Sequence, residues 1–214
     1  MKYNLKQLYT ALTSAIIWFG LGLQFYISTR QYMVEGYSFA GALVQIISFF
    51  TIETNVLVAV ALTSVLASPQ KSWGKYFSRI SVITAVTLYI VIVGLIYNTI
   101  LKDLWQPKGL FKLTDDLLHT ISPILLLLYW LIFVPKQHIA WRQMLPWLIF
   151  PFVYFIYSLI RGAITGGYPY GFIDAAKLGY QQIAINSVIV LILFLVIGSF
   201  FVLITKFAGR TNRA

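Results

Sequence analysis

The chain has 214 residues, 59% of them hydrophobic and only 10% charged, with a formal net charge of +10. Soluble domains run near 45–50% apolar and ~25% charged, so an ordinary soluble class is excluded, and the shortage of charge excludes disorder. The positive surplus belongs to loops and membrane faces rather than to a nucleic-acid-binding patch. Cysteine is absent, which removes disulfides, thiolate metal sites and thiol nucleophiles. Two histidines are too few for a metal site built on several imidazoles, so no metal and no cofactor is expected.

A membrane helix needs about 20 mostly apolar residues to cross ~30 Å of hydrocarbon, and six stretches qualify. Residues 7–29 carry no charge. Residues 36–70 are interrupted only by Glu53, with a full span at about 43–66. The third and fourth spans are 80–101 and 117–135, the latter containing His119. The fifth, 143–160, is short and holds Pro146 and Pro151, and the sixth lies within 178–205. Helices are expected because no ~10-residue alternation of a β-barrel runs through these stretches. The first run is too long for a signal-peptide core and lacks a small-x-small cleavage site, so it reads as a retained helix.

Charge placement sets the expected topology. Lys2, Lys6, Lys71, Lys75, Arg79, Lys136, Arg142, Lys206, Arg210 and Arg213 fall on one side with no acid. The other side mixes Arg30, Lys102, Lys108, Lys112, Arg161 and Lys177 with Glu35, Asp103, Asp115, Asp116 and Asp174. Basic loops stay cytoplasmic, which predicts both termini inside. The expected fold is an all-α integral membrane protein. It is a six-helix transmembrane bundle, one domain over residues 1–214, with some affinity for anionic headgroups.

Ionisable groups inside hydrocarbon are costly and point to function. Glu53 and His119 lie within spans. On the predicted topology Thr51, Thr54, Asn55, Asn98, Asp115, Asp116, His119, Arg161 and the loop 165–174 all sit in the outer half. Thr51 lies about 12–15 Å below the interface at 1.5 Å per residue. Thr51, Thr54 and Asn55 share one helical face, while Glu53 points nearly opposite to Thr51. Asp115 and Asp116 precede His119 by four and three residues, so either can orient the imidazole. A histidine base next to a threonine hydroxyl makes a nucleophile, so one chemistry the residues allow is ester hydrolysis by Thr51 with His119 as base and Asp115 as orienter. The bland alternatives are a threonine bonded to its own helix and an interfacial histidine bonded to Asp115. Arg161 can snorkel, Tyr168 and Tyr170 can sit in the aromatic belt, and Asp174 can flank the sixth helix. His138 is assigned no role.

Four blocks recur in order: Phe49-Phe-Thr-Ile-Glu-Thr-Asn55, Asp116-Leu-Leu-His-Thr-Ile-Ser-Pro123, Tyr154-Phe-Ile-Tyr-Ser-Leu-Ile-Arg-Gly162 and Tyr168-Pro-Tyr-Gly-Phe-Ile-Asp174. They resemble the androgen-induced membrane hydrolase family, most closely its bacterial branch of six-helix proteins, over nearly the whole chain. The resemblance implies a threonine hydrolase of lipid esters, such as fatty acid esters of hydroxy fatty acids. Thr51 would be the nucleophile and His119 the base, with Thr54 the competing nucleophile one turn away. It also favours a bacterial inner (plasma) membrane. Oxyanion donors would come from Asn55, Asn98, Arg161 or a loop tyrosine. The expected partners are a lipid substrate entering from the bilayer and other membrane lipids, with no nucleic acid. Two other readings remain open: a small proton-coupled transporter titrating Glu53, and a non-catalytic lipid-binding protein.

Overall fold

The computed structural model describes residues 4–104 and 106–211, with side chains through residue 208. Lys2, Arg213 and the side chain of Arg210 therefore lie outside the described part. All regular structure among the described residues is helical. Six stretches are long and apolar enough to cross a membrane: Leu5–Val34, Phe50–Ala67, Ile80–Leu104, Leu110–Phe133, Trp141–Thr165 and Ala175–Ala208. The protein is thus a multi-pass integral membrane protein. Many large apolar side chains face outward, such as Phe19, Ile189 and Phe200. That exterior suits hydrocarbon, where burying apolar groups inside brings no hydrophobic gain.

The helices group into two compact units, Met1–Pro135 and Lys136–Ala214. In the first, α1 (Leu5–Val34) opens on a reciprocal cap. Asn4 accepts the Gln7 N–H at 2.9 Å, and the Gln7 side chain accepts the Asn4 N–H at 3.1 Å. The second span is split. Helix α2 (Phe39–Ile47) ends at Ser48, Phe49 is extended at φ −86°, ψ 127°, and α3 (Phe50–Ala67) begins after it. No proline or glycine marks this break, so the apolar run reads as one helix in the sequence. A short α4 (Ser72–Phe77) leads to α5 (Ile80–Ile96), which widens into a π turn at Tyr97–Leu101 and tightens at Lys102–Leu104. The fourth span is α6 (Leu110–Asp116), a second π turn (Leu117–Ile121) and α7 (Ser122–Phe133).

Small residues and polar bonds join these helices, as expected where lipid supplies no hydrophobic drive. Ser14 and Thr63 hydroxyls meet at 2.8 Å between α1 and α3. The Tyr9 hydroxyl donates to the Leu125 carbonyl at 2.8 Å, and the Trp130 indole to Thr84 Oγ1 at 2.8 Å. Gly20 lets α1 close onto the second π turn, since a Cβ there would lie 3.2 Å from Leu118 Cδ2. Gly94 does the same for α5, where a Cβ would lie 2.9 Å from Pro123 Cβ.

In the second unit a 3₁₀ stretch at Trp141–Leu148 precedes α8 (Ile149–Thr165), so the fifth span begins earlier than its hydropathy suggests. Pro146 lies within that opening stretch. A 3₁₀ turn at Gly171–Ile173 leads to α9 (Ala175–Thr211), kinked at Gly179 with φ 72° and ψ 156°. An apolar groove of about 300 Å³ on α9 is lined by Ile192, Leu195, Val196, Ser199, Phe200 and Leu203. None of the candidate side chains lines it.

The Gly94–Pro123 approach yields a test. Gly94→Val should cost about 1–3 kcal/mol, because rigid ring and backbone atoms of another helix occupy the needed space. Thermal unfolding in detergent micelles, followed by tryptophan fluorescence, measures it.

Candidate functional site

The site begins with a missing donor. Pro123 has no N–H, so neither the α-helical nor the π-helical bond toward Leu118 and His119 can form from it. The helix shifts into π register, with the Ser122 N–H reaching the Leu117 carbonyl. The carbonyls of Leu118 and His119 are answered from other helices. Asn55 Nδ2 on α3 donates to the Leu118 carbonyl at 3.1 Å and to its own Thr51 carbonyl at 2.8 Å. Asn98 Nδ2, in the π turn after α5, donates to the His119 carbonyl at 3.2 Å and to Gly94 at 2.9 Å. Two asparagines thus fasten the turn that carries the histidine. Their amide hydrogens are engaged on main-chain carbonyls, so neither is available as an oxyanion donor.

The imidazole is held just as firmly. Nδ1 of His119 is 3.1 Å from the Asp115 carbonyl oxygen and 3.1 Å from Asp115 Oδ1. Both neighbours are acceptors, so in the neutral imidazole Nδ1 carries the hydrogen and Nε2 the lone pair. Asp115 is buried, and its second carboxylate oxygen accepts the Tyr97 hydroxyl. The Tyr97 ring stacks on the imidazole with centroids 3.9 Å apart and planes inclined by 16°. Asp116 instead pairs with Lys112 on the exposed side. The histidine side chain keeps 20% of its surface exposed, against 8% for Asp115.

Thr51, Thr54 and Asn55 are all buried on α3. As second and fourth spans, α3 and α6–α7 run in the same direction. The Asn55–Leu118 bond therefore places Thr51, one turn earlier, level with the turn holding Thr114 and Asp115. His119 bonds to Asp115 and makes no hydrogen bond to Thr51. Among the described residues, Thr54 Oγ1, Asn55 Oδ1 and Ser122 Oγ are fully buried and lack a hydrogen-bond partner. Glu53 falls in the first turn of α3 and is half-buried. Thr51 shares that first turn, behind Phe49, whose side chain has no oxygen to cap the helix.

The remaining candidates belong to the second unit. Arg161 is buried near the end of α8 and donates to the Gly167 carbonyl. Tyr168 lies on Gly162, where a Cβ would fall 2.1 Å from its ring. Burial raises the Tyr168 phenol above its ordinary pKa, with Tyr180 and the Asp174 carboxylate adding to it. Tyr170 stacks on Phe172 at 5.3 Å. Asp174 Oδ1 accepts the Lys177 N–H at 3.2 Å, the work of a helix cap. Among the described residues no three His, Asp or Glu side chains are grouped as metal ligands would be.

Tyr97 is the residue that sequence reasoning missed. A tyrosine at the end of an apolar run reads as an interfacial aromatic, and its partners lie 18 and 22 residues ahead on another helix. No family profile, curated protein or solved structure matches the chain.

The carbonyl account predicts coupling between two substitutions. Asn55→Leu should destabilise the protein by about 1–3 kcal/mol, because a buried acceptor loses its donor. In a Pro123→Ala background the restored N–H can answer that carbonyl, so the penalty should shrink. A double-mutant cycle of thermal unfolding in micelles reads the coupling.

Proposed function

We propose that the protein is a membrane-embedded hydrolase of lipid esters, with Thr51 as nucleophile and His119 as base. The observation that carries this reading is the two-acceptor environment of His119 Nδ1, which leaves Nε2 as an oriented proton acceptor. An ordered carboxylate–imidazole pair in an apolar helical setting is the arrangement that makes a hydroxyl nucleophilic. The position of Thr51 in the first turn of α3 adds to it, because negative charge is favoured there. The resemblance to the androgen-induced membrane hydrolase family points the same way, and it favours a bacterial plasma membrane with the site in the outer half.

In this reading the lipid enters sideways and brings its ester between the threonine and the imidazole. Thr51 Oγ1 attacks the carbonyl carbon while Nε2 takes the hydroxyl proton. The imidazolium returns that proton to the departing alkoxide, which leaves as the alcohol. Water then repeats the sequence, releasing the fatty acid and restoring Thr51. Base–nucleophile hydrogen bonds are often open in substrate-free enzymes and close on the substrate. Thr54, fully buried and without a partner, is the competing nucleophile.

A fluorophosphonate probe tests the assignment in micelles. The native protein should be labelled covalently, Thr51→Ala should abolish labelling, and His119→Ala should slow it by about 10²–10⁴-fold. Labelling that survives Thr51→Ala but is lost in Thr54→Ala moves the nucleophile by one turn. A native protein that is never labelled overturns the hydrolase reading.

A further inference from the structure

We infer that Tyr97 is a positioning residue, acting through Asp115 to hold His119 in the Nδ1–H tautomer. The inference builds on the reading of His119 as a base. Three contacts close a triangle: the Tyr97 hydroxyl on one oxygen of Asp115, the other oxygen on His119 Nδ1 at 3.1 Å, and the Tyr97 ring stacked on the imidazole at 3.9 Å. Tyr97 and Asp115 are both buried.

The carboxylate has two ways to relax without that hydroxyl. It can rotate about its own side chain, or it can draw a proton to the unanswered oxygen, because a buried unpaired charge is costly. Either change removes one of the two acceptors facing Nδ1 and leaves the Asp115 carbonyl alone to hold its hydrogen, so the Nε2–H tautomer gains population. A proton on Nε2 removes the lone pair that accepts from a nucleophile. The hydroxyl of Tyr97 therefore steadies the carboxylate half of the two-acceptor hold on Nδ1, beside the Asp115 carbonyl, while its ring stacks on the imidazole and fixes its plane. These two tasks separate experimentally, since phenylalanine keeps the ring and removes only the hydroxyl.

The chain supplies a clean probe, because it contains only His119 and His138. In ¹⁵N-histidine spectra of the full-length protein in micelles, a His138→Gln variant identifies the His119 signals. The native chain should show a single neutral tautomer with Nδ1 protonated. Tyr97→Phe should raise the share of the Nε2–H form, and Asp115→Ala should raise it further, because only the main-chain carbonyl then faces Nδ1. Fluorophosphonate kinetics give the second readout: Tyr97→Phe should lower the maximal labelling rate about tenfold with the probe's half-saturating concentration unchanged. An unaltered tautomer ratio in Tyr97→Phe overturns the inference, as does a fall in labelling caused only by weaker probe binding. If Tyr97→Phe fails to fold, Asp115→Ala decides the matter through the same spectra, and an unchanged tautomer there also overturns it. A native protein that resists the probe would sink the hydrolase reading alone, with the tautomer measurement still deciding the role of Tyr97.

Discussion

A proline without an amide hydrogen, set inside a membrane-spanning helix, is the constraint around which the first unit is arranged. Hydrocarbon offers no water to an unanswered carbonyl, so the two acceptors that Pro123 leaves behind must find donors in neighbouring helices. Asn55 and Asn98 provide them, and in doing so they fix the height and rotation of α3 and α5 against the fourth span. Gly94 and Gly20 then let the helices approach closely enough for the bonds to form. The π turn is the visible result, and His119 sits at its centre. Main-chain bonding thus fixes the backbone of the one histidine within a span.

The side-chain arrangement follows from that fixed backbone. His119 Nδ1 lies within reach of both the carbonyl and the carboxylate of Asp115, one turn earlier. Tyr97, carried on the other π turn, meets the pair from α5. Two widened turns on adjacent helices therefore meet, and the Tyr97–Asp115–His119 contacts join α5 to the fourth span. The second unit devotes its polar residues to closing a loop: Arg161 to Gly167, Tyr168 over Gly162, and Asp174 capping α9.

Hydropathy alone exposed the six spans, because length and lack of charge are properties of the chain itself. Their internal breaks were not legible. Nothing in Ser48-Phe49 announces a helix end, and the π turns depend on which donors arrive from elsewhere in the fold. The Leu-Leu-His-x-x-x-Pro spacing did hold the needed information, since a proline four residues after His119 predicts an unanswered carbonyl there. Asn55 and Asn98 were recognisable as polar residues in apolar surroundings, but their side chains serve the main chain rather than a developing oxyanion. Of the two carboxylates before His119, helical spacing could not choose, and only packing separates Asp115 from its salt-bridged neighbour Asp116. Tyr97 shows the reverse problem: a residue type common at membrane borders, whose significance lies wholly in its tertiary partners.

Borrowing hydrogen-bond donors from α3 and α5 also has a meaning for biogenesis. By itself the fourth segment is an unfinished helix, with two carbonyls that donors from α3 and α5, both earlier in the chain, must answer. The incomplete helix rewards one particular docking partner on each flank, and so acts as an assembly checkpoint written into its own backbone.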